Sequence, residues 1–191
     1  LGAKIMGGPM TIEMVVKWNA FNSYSMAFRC GNTAAGDDMI VIGNEVSVGM
    51  LKWMINHGQT QKNAYSSSTS ALVVGVRYHI VGTVSGSTMI SYLNGVVKGQ
   101  QLNGWEPTAM TRSQCYVGKD GPFSGEVSSL KIHSGAMTQA QVTAAYEATF
   151  PILEYFWDFT GTDTSTPLWN SVCVTAQYLY IDGSAAAGYL N

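Results

Sequence analysis

Charged side chains are scarce in this sequence. Asp, Glu, Lys and Arg make up 12% of its 191 residues, about half the share of an ordinary soluble domain. Ser, Thr, Gly, Asn and Gln must therefore dominate the surface. The formal net charge of −2 supplies no basic field, which excludes nucleic acid and anionic membrane surfaces as electrostatic partners. Long apolar runs are missing as well: none approaches the roughly 18 residues that cross a bilayer, so no membrane insertion is expected. His57, His79 and His133 lie far apart, and Cys30, Cys115 and Cys173 form no Cys-x-x-Cys pair, so zinc has no local support. No Asn-x-Ser/Thr sequon occurs, and N-glycosylation is not expected. An initiator methionine and a charged-then-apolar leader are both lacking, which leads us to expect a processed piece of a longer polypeptide.

What is present points to a folded β protein. Hydrophobic residues are 46% of the chain, with five Trp and ten Tyr, a composition that argues against disorder. The length suffices to bury a core without metal or disulfide staples. Two readings of the cysteines stay open. One is a disulfide, taken as Cys30 with Cys115, plus an odd thiol in an extracellular protein; the other is three small buried hydrophobes.

Residues 10–18, MTIEMVVKW, alternate: Met10, Ile12, Met14, Val16 and Trp18 share one face, Thr11, Glu13 and Lys17 the other. Period 2 marks a half-buried strand. Residues 39–55 repeat the habit, with Gly43-Asn44 expected as a turn. Strands are also expected at 77–85, 87–93, 96–100, 113–118 and 123–134. Asn94-Gly95 separates two of them as a type I′ hairpin signal, because both residues tolerate positive φ. Only 138–150 reads as helix. Thr138 and Gln141 form a capping box, Val142, Ala145, Tyr146 and Thr149 share a face, and Pro151 stops it. Strands then resume at 154–159, 171–176 and 177–182, around a Thr/Ser-rich loop at 160–167 suited to O-linked sugar. About a dozen short strands predict an all-β, two-sheet antiparallel jelly-roll sandwich with one short α-helix near 138–150. The ten methionines read as core filler.

The stretch 78–133, with the helical segment that follows it to Ala148, carries a resemblance. His79, Gly86, Asn94-Gly95, Val117-Gly118, Phe123-Ser124-Gly125 and Met137-Thr138 occupy the places of motifs in the laminin G-like, concanavalin A-like family, and MTIEMVVKW resembles that family's early Phe-Thr-Ile-Glu strand. Arg77 stands where the family has tryptophan, and Ser128-Ser129 where it has Asp-Glu. The resemblance implies an order that this chain breaks. EYFWDFTG and YLYIDGSAAAGYLN resemble pieces that come first in the family, yet here they occupy residues 154–191. The chain therefore reads either as a circular permutant or as one period of an array or polymer. On that basis residues 1–153 form the main body, and 154–191 supply strands that complete the sandwich of the same or the next subunit. Tyr155, Phe156, Trp157, Phe159, Tyr178, Tyr180 and Ile181 would make the shared interface.

Glycan-cutting enzymes of this fold need two or three carboxylates on one strand face. GEVSSLKIH offers only Glu126, and adjacent Asp37 and Asp38 would point to opposite faces of a strand. No catalytic residue is assigned, and an enzyme is not expected. The resemblance implies calcium or sugar binding at a loop rim, with Asn32, Asp37, Asp38 and Asp120 as oxygen donors for calcium; ordinary turn chemistry is the competing reading. Trp105 reads either as a sugar-stacking ring or as a lid over the sandwich edge. The leading functional expectation is a non-catalytic extracellular or cell-surface structural module, a subunit or repeat of a filament or surface appendage assembled with identical neighbours by strand sharing. The alternatives are a carbohydrate-binding or adhesion lectin module, with or without calcium, and an accessory domain of a glycan-active enzyme.

Overall fold

The computed structural model describes residues 4–32, 38–120 and 122–151. Among them are twelve strands and one helix: β1 (Lys4–Met6), β2 (Met10–Ala20), β3 (Met26–Gly31), β4 (Ile40–Glu45), β5 (Met50–His57), β6 (Thr60–Tyr65), β7 (Arg77–Ser85), β8 (Thr88–Leu93), β9 (Val96–Gln101), β10 (Met110–Arg112), β11 (Gln114–Asp120), β12 (Ser124–Ser134) and α1 (Gln139–Thr149). Two five-stranded sheets, ordered β11-β3-β4-β5-β6 and β12-β2-β7-β8-β9, make the sandwich, and β1 pairs with β10 at its margin. Every pairing between these strands is antiparallel. The fold is an all-β jelly roll with one helix, as the alternating segments predict. The strands expected at 154–159, 171–176 and 177–182, and the aromatic residues named within them, lie outside the described residues.

Alternation along β2 decides where the core sits. Met10, Ile12, Met14, Val16 and Trp18 point between the sheets and meet Phe28, Ile40, Ile42, Leu51, Trp53 and Ile55 of the opposite sheet. Each such side chain contributes roughly 1.5–3 kcal/mol on burial. Met6, Met10, Met14 and Met89 belong to this cluster, where an unbranched side chain fills irregular gaps. Trp53 on β5 reaches across to the opposite sheet. It lies against Gly82 of β7, where a Cβ would stand 2.6 Å from the indole. Its Nε1 donates to the Thr83 carbonyl at 3.0 Å. One residue thus packs against, and hydrogen-bonds to, the opposite sheet.

Local chemistry explains most element ends. Asn94 (φ 51°) and Gly95 (φ 77°) make the two-residue turn from β8 to β9, in the left-handed conformations a type I′ hairpin requires. Thr138 caps α1 and the Thr138/Gln141 capping box is formed. The expected turn at Gly43-Asn44 is corrected: both residues lie inside β4, and the chain turns at residues 46–49. Gly43 is required because a Cβ there would meet the Ser25 carbonyl oxygen at 2.4 Å. Asn44 serves the neighbouring loops, as described below. β3 and β6 carry no alternation that sequence reading could find. β3 is buried on both faces, Arg29 included, and β6 is a largely polar strand at the end of its sheet.

Cys30 and Cys115 face each other across β3 and β11 and are joined as a disulfide, 85 residues apart in sequence. Replacing both by Ala is expected to lower unfolding stability by about 2–4 kcal/mol, from the loop freedom restored to the unfolded chain. Gly82→Ala is expected to cost about 1–3 kcal/mol through overpacking against Trp53. In urea titrations the double variant Gly82→Ala/Trp53→Phe should be more stable than the sum of the two single losses, because the smaller ring makes room for the added methyl.

Candidate functional site

One end of the sandwich is organised by Asn44, which is almost fully buried. Its Nδ2 donates to the carbonyls of Asn22 at 3.1 Å and Val46 at 2.7 Å, and its Oδ1 accepts from the Ser25 hydroxyl. Ser25 Oγ in turn accepts from Trp18 Nε1 at 3.2 Å. A single strand side chain therefore ties the β2–β3 loop to the β4–β5 loop, and Trp18 ties both to the core. Within these loops Tyr24 (φ 56°) and Val46 (φ 44°) are held in the left-handed region. A non-glycine residue there costs of order 1–3 kcal/mol and persists only when its surroundings fix it. Here the Asn44 network does the fixing.

The strained loop presents Tyr24, 49% exposed, beside an ion pair on the outward side of β4 and β5. Lys52 Nζ lies 2.8 Å from Glu45 Oε2. The same ammonium stands 5.4 Å from the Tyr24 ring centroid and 5.9 Å from that of Tyr65 on β6, within cation–π range. Lys52 is only 6% exposed, so its charge is enclosed by two rings and a carboxylate. Burial, reinforced by the charge and hydrogen bond of Glu45, pushes the Tyr65 phenol up to about 12. Farther along the same outward side, Val41 and Met54 are buried, so accessible chemistry concentrates at the rim. The arrangement offers an exposed aromatic face next to fixed polar groups, the combination that orients a polar ring-shaped ligand. Sequence reading missed all four residues. A lysine on the outward register of a strand and an asparagine inside a strand were the available signals.

The residues singled out in the sequence are scattered. Trp105 donates its Nε1 to the Ile55 carbonyl at 3.2 Å and stacks on His57 with centroids 4.6 Å apart. Lys62 Nζ stands 5.3 Å from the indole centroid. The ring packs against the core and acts as a lid at the end of β5 and β6. Asp38 turns the chain into β4, its carboxylate accepting from Gly58 N at 3.1 Å. Its carbonyl, with those of Met6 and Thr108, receives the fully buried Arg112 guanidinium. The Asn32 carbonyl accepts from Ser113 Oγ at 3.4 Å, Asp120 ends β11, and Asp37 lies outside the described residues. Among the described residues no cluster of three or more His, Cys, Asp or Glu is placed to hold a metal. Glu126 pairs with Lys17 at 2.6 Å and Arg77 at 3.4 Å, and these cations hold its carboxyl below the usual range. The Ser128-Ser129 position falls at a bulge in β12.

A family profile described as the concanavalin A-like lectin/glucanases superfamily matches residues 3–143. The chain belongs to that superfamily. Several solved structures share its fold. Domain 4 of AbnA, a GH43 extracellular arabinanase from Geobacillus stearothermophilus in complex with arabinotriose, is 19% identical, with 75% of this chain and 69% of that chain covered and a TM-score of 0.63. The native heptameric SAP-like pentraxin from Limulus polyphemus is 20% identical, with 76% and 73% covered and a TM-score of 0.58. The CBM40 of the Ruminococcus gnavus IT-sialidase, bound to alpha2,3 sialyllactose, is 11% identical, with 74% and 83% covered and a TM-score of 0.62. At these identities the likeness establishes the jelly roll of this superfamily member and nothing finer. No curated protein matches the chain.

Two measurements check the rim of this concanavalin A-like domain. In a spectrophotometric titration Tyr65 should ionise late, at about pH 12, with buried Tyr78 also displaced upward, and Tyr65→Phe should reduce the late-ionising amplitude by one tyrosine. Because the folded state favours the neutral phenol, stability from this group is lost as pH rises above the ordinary value of 10.0. Asn44→Ala should cost about 1–3 kcal/mol in urea unfolding, since several buried loop groups lose their partner.

Proposed function

We propose that this domain is a non-catalytic carbohydrate-binding module whose ligand seats at the rim formed by Tyr24, Glu45, Lys52 and Tyr65. The observation that carries the reading is the exposed Tyr24 ring, held at positive φ beside an enclosed ion pair. Sugars present an apolar ring face and a periphery of hydroxyls. An aromatic face with adjacent fixed donors and acceptors suits both. Lys52 is neutralised by Glu45, so the site favours an uncharged glycan over an acidic one. The AbnA domain in complex with arabinotriose and the CBM40 bound to sialyllactose share the fold, which supports a sugar ligand here. An extracellular location fits the Cys30–Cys115 disulfide, since such bonds persist in oxidising compartments. No helix among the described residues is long and apolar enough to cross a membrane.

A glycan array followed by calorimetry tests this reading. Tyr24→Ala should weaken binding about tenfold, equivalent to about 1.4 kcal/mol, with the melting temperature little changed. EDTA should leave affinity unchanged, because among the described residues the only cation at this rim is the Lys52 ammonium, already paired with Glu45. Absence of any glycan ligand, or full affinity in Tyr24→Ala, would overturn the proposal.

One observation favours a second reading, a structural subunit that shares strands with identical neighbours. Among the described residues β11 and β12 each end their sheets, and they lie against each other on the same side of the sandwich. Ile132 on β12 is 40% exposed. Two adjacent open edges invite added strands, and residues 154–191, through Tyr155, Phe156, Trp157, Phe159, Tyr178, Tyr180 and Ile181, would provide them. Size-exclusion chromatography and electron microscopy of the 191-residue chain separate the outcomes. Concentration-dependent polymers and regular filaments are expected from exchange, and a stable monomer counts against it.

A further inference from the structure

On the outward side of the helix-bearing sheet, three strands bring four ionisable groups to one point. Glu13 of β2 is buried, its side chain 3% exposed. Its Oε1 accepts from Lys131 Nζ of β12 at 2.8 Å and lies 3.3 Å from His79 Nε2 of β7; its Oε2 lies 3.0 Å from His133 Nε2 of β12. Strand register explains the convergence, since Lys131 sits directly opposite Glu13, His133 opposite the neighbouring Thr11, and His79 opposite Val15. His79 is fully enclosed, and its Nδ1 has no hydrogen-bond partner.

Helix α1 lies beside this quartet, against its His79 member on β7. The Tyr146 ring is 6.1 Å from the His79 imidazole. The helix is held lightly. Val142 is its one buried residue, packed with Val81 and Tyr92 of the sheet, with Ile90 and Met137 against them. Among the described residues its polar ties include Gln139 Nε2 to the Gly95 carbonyl at 2.6 Å, Thr143 Oγ1 to the same carbonyl at 3.3 Å, and Met137 N to Thr11 Oγ1 at 2.8 Å. Elements with so little buried apolar contact open before the core does.

Charge counting supplies the trigger. With neutral imidazoles, one carboxylate faces one ammonium. When both histidines take protons, three positive charges face a single carboxylate, and one of them is wholly enclosed beside the helix. The tyrosines facing the cluster, Tyr146 from α1 and Tyr92 from β8, offer no compensating charge in acid. We propose that α1 is an acid-released latch: protonation of His79 and His133 lifts the helix from the sheet while the sandwich stays folded, baring the apolar strip of Val81, Ile90 and Tyr92.

The direction of titration agrees. Burial lowers His79 from its ordinary 6.5, although Glu13 works against that shift. A base depressed in the folded state contributes stability that is lost as pH falls through 6.5 towards the folded value. Burial pulls the Glu13 carboxyl up, but Lys131, His133 and His79 outweigh burial and hold it below 4.5, so Glu13 stays ionised through that window.

Hydrogen exchange read by mass spectrometry on the full chain, at about pH 7.5 and about pH 5 and corrected for intrinsic rates, tests the latch. Protection of peptides covering α1 should fall about tenfold relative to peptides from β2 and β7 as the pH drops. His79→Gln should abolish most of that difference. His133→Gln, at a more exposed position, tests the charge count if the first variant does not fold, and it should move the transition to lower pH. Unchanged α1 protection at low pH, loss of α1 and core protection in step, or a pH response identical in every folded variant would overturn the proposal.

Discussion

The domain depends on the seat that Gly82 makes for Trp53. Sandwich sheets pack about 10 Å apart, and most residues reach only partway across that gap. The Trp53 indole reaches the opposite backbone, where a missing Cβ leaves room for it and the Thr83 carbonyl accepts its N–H. The contact joins the middle of β5 to the middle of β7. Everything else of interest is mounted on these two strands or their neighbours. Lys52, next to Trp53 in sequence, faces outward to the tyrosine rim. His79, three residues before Gly82, faces outward to the buried quartet. The pleat puts core and functional residues on alternate positions of the same strand, so fixing the core contact also fixes the outward ones.

The shortage of charge takes on meaning in this frame. Of ten Lys and Arg residues in the chain, Lys52 is paired with Glu45, Lys131 with Glu13, Lys17 and Arg77 with Glu126, and Arg112 with three carbonyls. These five of the ten hold two strands or two loops in a fixed relation. The Lys52 pair does so where low exposure removes much of the screening that makes surface ion pairs weak. A polar, uncharged surface remains, which suits contact with a neutral ligand rich in hydroxyls.

The fold was legible because β2 and β7 bury one face against the partner sheet and leave the other largely to polar residues, a pattern with period 2. The Asn94-Gly95 hairpin and the Thr138/Gln141 box were legible because their chemistry is local. β3 was not: it is buried on both faces, Arg29 included, and shows no alternation. Gly43-Asn44 misled because glycine and asparagine are turn residues on their own, whereas here the glycine admits the Ser25 carbonyl and the asparagine fastens loops from within a strand.

The sequence by itself determined the class of fold, the core face of the main strands, the helix and its cap, since each follows from neighbours a few residues apart. Only the tertiary structure decided that Tyr24, Glu45, Lys52 and Tyr65 meet at a rim, that Arg112 takes the carbonyls of Asp38, Met6 and Thr108, and that Glu13, His79, Lys131 and His133 converge beside a helix. Those meetings join residues as many as 120 positions apart. They are set by which strands become neighbours and in what register, and no local periodicity encodes that choice.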